Sequence, residues 1–167
     1  MESDSVSVSN LCPVLNGMLE IGHRPKLNRI PKLKADGFTH VVTILSEKEG
    51  AKKIISSVQS AGLVSIWIQV GSASLIDDEK VLRDLTKSFE EIRSVLNDGG
   101  KVYMHCSAGI HRTGMMTNAL LLYCGYNEED ALSLLGQLRQ ITQKDVGQDR
   151  LDWGVQFYNA IRTPTIT

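Results

Sequence analysis

The residues that could do chemistry sit in one stretch, Lys101 to Gly114, reading KVYMHCSAGIHRTG. Cys106 supplies a nucleophile and Arg112 a planar fork of donors, with five residues between them. Val102, Tyr103 and Met104 suit a buried strand, and Thr113 to Tyr123 reads as a helix. A strand that turns sharply into a helix aims backbone N–H groups and the helix dipole at one point, which suits an anion. A sulfur at that point is favoured as thiolate by the same field. The amides of Ser107, Ala108, Gly109, Ile110, His111 and Arg112 would line the pocket, and Arg112 would bind two oxygens of a phosphoryl group. Ser107 is placed to line the entrance, and His111 to add a titratable donor beside the arginine. Gly109 and Gly114 also have the spacing of a nucleotide-binding loop, but Met115 stands where that loop needs lysine.

HCSAGIHRTG resembles the signature loop of the cysteine-dependent protein tyrosine phosphatases. It departs from the tyrosine-specific branch at His111, where that branch usually has glycine, while the chain's length and layout are closer to the dual-specificity branch. The resemblance implies that Cys106 becomes a cysteinyl phosphate, that Arg112 stabilises the transition state, and that the Thr113 hydroxyl eases departure of the sulfur. It also implies that His105 braces the loop from behind, that Arg139 supports it, and that Gln148 lies where relatives position the hydrolytic water. The family's general acid is an aspartate on an upstream mobile loop. That window here is GSASLIDDE, so Asp77 is the first candidate and Asp78 the second. An aspartate just before a long helix is equally a good N-cap. With no acid, the enzyme would depend on good leaving groups such as phosphoanhydrides.

The implied function is a protein phosphatase acting on phosphotyrosine, and also on phosphoserine or phosphothreonine. Two alternatives stay open. One is an inositol-phosphate or phosphoanhydride (RNA 5′-phosphate) phosphatase, because some relatives acting on inositol pyrophosphates carry a histidine at the position of His111, although they have lysine where this chain has Ile110. The other is a phosphoprotein-binding module whose catalysis has lapsed.

Elements must hold this loop in place. Leu11 to Ile21 reads as a hairpin around Asn16-Gly17, and Pro31 to Gly37 as a short helix. Thr39 to Leu45 and Leu63 to Val70 read as buried strands, with a helix over Glu47 to Ala61 between them. Asp78 to Asn97 carries a continuous apolar stripe at helical spacing, the helix from Thr113 is apolar nearly all round, and further helices follow Asn127 and Gln148. Strands alternating with helices predict an α/β fold, a central mostly parallel sheet flanked by helices, with the phosphate loop at the carboxyl end of its strand.

The 167 residues suit one catalytic domain over 11–167, behind a polar tail, 1–10, expected to be disordered. A net charge of −1 gives no global field for nucleic acid, so attraction for phosphate must be local. The three cysteines lack metal-ligand spacing, and neither metal nor cofactor is expected. No apolar run reaches membrane-spanning length, and the expected setting is the cytoplasm, where a thiolate stays reduced. The expected partner is a phosphoprotein substrate; oligomeric state is not legible.

Overall fold

The computed structural model describes residues 8–162. Within them, β1 (Cys12–Val14), β2 (Gly17–Gly22), β3 (His40–Ile44), β4 (Val64–Ile68) and β5 (Lys101–His105) form one sheet. Its order is β1-β2-β5-β3-β4. The last four are mutually parallel, and β1 pairs antiparallel with β2 at the edge. β5 lies at the centre, with Val102 opposite Leu19 on one side and His40 on the other.

Helices α1 (Ile30–Ala35) and α2 (Ala51–Ser60) are followed by α3 (Glu79–Asn97), α4 (His111–Tyr123), α5 (Glu128–Leu138), α6 (Gln140–Asp145) and α7 (Gln148–Arg162). The two-residue period of the strands sorts the core into two layers. Val42, Ile44, Ile66, Val102 and Met104 pack with α3, α4, α5 and α7. Val41 and Tyr103 pack on the opposite face with Ile30, Ile54 and Val58 from α1 and α2. This is the α/β architecture expected from the strand–helix alternation. α4 is buried along most of its length, which explains its apolar circumference.

Four details differ from the sequence reading. The hairpin turns at Leu15-Asn16, with Leu15 in the left-handed region (φ 54), and Gly17 begins β2. Gly17 is needed for closeness: a Cβ there would lie 2.3 Å from the Gly100 carbonyl oxygen. The helix expected over Glu47 to Ala61 splits into a 3-10 turn (Glu47–Glu49), a left-handed Gly50 (φ 86) and α2. α4 starts at His111, two residues earlier than its apolar pattern suggests. Finally, extended backbone at Arg139 (φ −162, ψ 112) ends α5 and opens α6.

The polar tail lies mostly outside the described residues. Where description starts, the Asn10 amide already donates to the Leu138 carbonyl (2.9 Å).

Candidate active site

The site forms where four parallel strands end. β5 runs into the loop holding Cys106, which is 3% exposed. The Gly109 amide donates to Cys106 Sγ (3.2 Å), so the loop curls around the sulfur. The first turn of α4 follows directly, placing the positive end of its dipole at this loop. Gly109 has φ 73, and a Cβ there would meet the Gly22 carbonyl carbon and oxygen at 2.3 Å. Only glycine satisfies both the turn and the close approach to β2.

His105 is buried behind the loop. With the Cys106 carbonyl accepting from Nδ1 (3.0 Å), Nε2 accepts from the Thr43 hydroxyl (2.9 Å). Burial lowers its pKa to about 4, so a neutral imidazole is the stable form at neutral pH. Beneath the loop, Arg139 NH1 donates to the carbonyls of Ala108 (2.8 Å) and Gly109 (3.0 Å). Thr142 Oγ1 adds a bond to the same Gly109 oxygen (2.6 Å). These polar side chains are buried, Arg139 at 4% exposure.

Arg112 is held by its outer end. Glu49 Oε1 and Oε2 accept from NH1 (2.7 Å) and NH2 (2.8 Å), and the Val70 carbonyl accepts a further NH1 bond (2.9 Å). A guanidinium carries five N–H groups. These three bonds leave Nε–H and one N–H of NH2, the side-on fork that matches two phosphoryl oxygens. Hydrogen bonding to Arg112 pulls the Glu49 carboxyl down to about 2, so it stays ionised across the physiological range. Glu49 also closes a capping box on the Ser46 amide (2.9 Å).

Arg24, just after β2, completes the rim. Its amide donates to the Ser107 carbonyl (2.9 Å), and its NH1 donates to the Glu49 carbonyl. Neither Arg24 nor Glu49 is marked as a site residue by its own surroundings in the chain. The sole local hint is that the Ser46–Glu49 capping box is stopped at once by Gly50.

Ser107, Ala108 and His111 are exposed at the mouth, while Ile110 is half-buried. The Thr113 hydroxyl is fully buried and lacks a hydrogen-bond partner among the described residues. Asp78 caps α3, its Oδ1 accepting from the Val81 amide (3.1 Å). Asp77 beside it is exposed. The segment before it carries no carboxylate from Gln69 to Ile76 and is tied to α7. Arg150 Nε donates to the Ala73 carbonyl (2.9 Å) and Trp153 Nε1 to the Ile76 carbonyl (2.8 Å). Gln148 opens α7, is bonded to Asp152 (2.9 Å), and contacts none of the loop's residues through a hydrogen bond.

The fold recurs among solved structures. Kinase associated phosphatase with its catalytic cysteine replaced by serine aligns with a TM-score of 0.73 at 17% identity, over 88% of this chain and 89% of that one. PTPMT1 in complex with PI(5)P aligns at 0.69 and 20% identity, over 85% and 92%. The human tyrosine phosphatase-like serine/threonine/tyrosine-interacting protein aligns at 0.62 and 22%, over 80% and 84%. No curated protein sequence matches the chain. Residues 20–150 match the family described as dual specificity phosphatase, catalytic domain, and the chain belongs to that family.

Proposed function

We propose that the chain is a cysteine-dependent phosphatase that hydrolyses phosphomonoesters through a cysteinyl-phosphate intermediate. One observation carries this reading: the Gly109 amide sits on Cys106 Sγ while Glu49 turns the side-on fork of Arg112 away from itself. The Cys106 thiolate attacks phosphorus, the ester oxygen leaves as a proton is supplied, and water then cleaves the S–P bond. Arg112 and the loop amides hold the three equatorial oxygens throughout. The orphaned Thr113 hydroxyl supports a role at the sulfur, because a buried hydroxyl wants an acceptor and a departing thiolate is one.

The loop sequence makes phosphotyrosine in proteins, with phosphoserine and phosphothreonine beside it, the first substrate class. Asp77 is then the acid, since Asp78 is engaged as a cap. The second reading is an inositol-phosphate or phosphoanhydride substrate, and the acid-free segment Gln69 to Ile76 favours its phosphoanhydride form, because a phosphate leaving group departs with less protonation than an alcohol. Aryl phosphate turnover tests the enzyme: wild-type activity abolished by Cys106→Ser is expected. An inactive wild type would leave a phosphate-binding module instead. Asp77→Asn separates the substrate classes. Under the first reading it slows phosphotyrosine-peptide turnover about 10²–10⁴-fold; an unchanged rate removes Asp77 as the acid.

A further inference from the structure

Beside the catalytic loop lies an open groove of about 370 Å³ lined by Arg24, Pro25, Lys26, Leu27 and Lys53. Three of these five residues, Arg24, Lys26 and Lys53, are cations and none is a carboxylate, in a chain whose net charge is −1. Nearby acids are already engaged: Glu49 holds Arg112 and Glu47 pairs with Lys52, both at 2.7 Å. Lys26 and Lys53 are exposed, and neither forms an ion pair among the described residues. Arg24 joins groove to site, with its amide on Ser107 and its guanidinium on the Glu49 carbonyl. That guanidinium packs over Gly50, where a Cβ would come within 2.9 Å of NH2. The groove has no aromatic side chain to stack on a phenol ring. A concentrated positive wall with no stacking surface suits a second dianion attached to the same substrate.

The geometry points to a second phosphate subsite formed by Arg24, Lys26 and Lys53, so that the substrate is a bisphosphorylated polyol with one phosphate over Cys106 and its neighbour in the groove. This rests on Cys106 being the nucleophile and deepens the second of the two substrate readings. The shared chemistry is a polyol bisphosphate, whether free or as a lipid headgroup.

Calorimetry on the full chain carrying Cys106→Ser tests the subsite without turnover. The probes are myo-inositol monophosphate, a vicinal myo-inositol bisphosphate, a phosphotyrosine peptide, and phosphatidylcholine vesicles containing phosphatidylinositol mono- or bisphosphate. The second phosphate is expected to tighten binding about tenfold or more, in solution or on vesicles, and the arm that responds identifies the source. Adding Lys26→Ala and Lys53→Ala, both on exposed side chains, is expected to remove most of that gain. Equal affinity for mono- and bisphosphate in both arms, a gain that survives the double substitution, or tighter binding of the phosphotyrosine peptide overturns the subsite. Aryl phosphate turnover by the wild type reports separately on Cys106. An inactive wild type whose serine variant still prefers the bisphosphate sinks the phosphatase reading and supports the subsite.

Discussion

At the scale of single residues, the site is a set of charges that fix one another. Glu49 takes the end-on donors of Arg112, which orients the guanidinium and leaves its side-on fork for a phosphoryl group. Glu49→Gln keeps the shape and removes the charge. We expect kcat/KM for an aryl phosphate to fall about tenfold, the equivalent of roughly 1.4 kcal/mol in transition-state binding. The same pair gives a pH signature. Glu49 is depressed from its usual 4.5 to about 2, so its contribution to stability is fully present above about pH 4.5 and disappears as pH falls toward 2. Urea midpoints measured across that window should decline less in Glu49→Gln than in the wild type. Parallel decline in both proteins would mean that the ion pair does not couple to folding.

At the scale of elements, the loop is suspended between β5 and α4 and braced from beneath by the joint between α5 and α6. Extended backbone at Arg139 breaks what would be one continuous helix and places its side chain under the Ala108 and Gly109 carbonyls. Arg139→Ala leaves buried carbonyls without that donor. A loss of about 1–3 kcal/mol is expected from denaturant unfolding, together with reduced kcat from a loosened loop. A variant that keeps both would show that Thr142, which also donates to Gly109, holds the loop by itself. The adjoining Gln69 to Asp78 segment is tied to α7 by hydrogen bonds from Arg150 to the Ala73 carbonyl and from Trp153 to the Ile76 carbonyl.

At the scale of the whole molecule, the large core ties the site to the far helices. Phe89 of α3 is fully buried and meets Phe157 of α7 edge-on at 5.7 Å and Tyr123 of α4 at 6.0 Å. Phe89→Ala is expected to cost about 3–5 kcal/mol, a large share of the roughly 5–15 kcal/mol available to a domain. Thermal unfolding reads this directly; a midpoint within two or three degrees of the wild type, about the experimental margin, would mean that the three helices repack around the gap.

The chain's letters by themselves determined the layered α/β fold and the strand–loop–helix around Cys106 and Arg112. Each is local: apolar periodicity sets an element, and a sharp turn between two elements sets the loop. Glu49, Arg24 and the Val70 carbonyl could not be read this way, because they lie 63, 88 and 42 positions from Arg112 in the chain and gather around the loop only when parallel strands align their carboxyl ends. The strand order brings β2, β3 and β4 around β5, and that order is a property of packed sheets and crossovers, not of any window of sequence. The tertiary structure therefore decided how the arginine is aimed and which cations stand beside it.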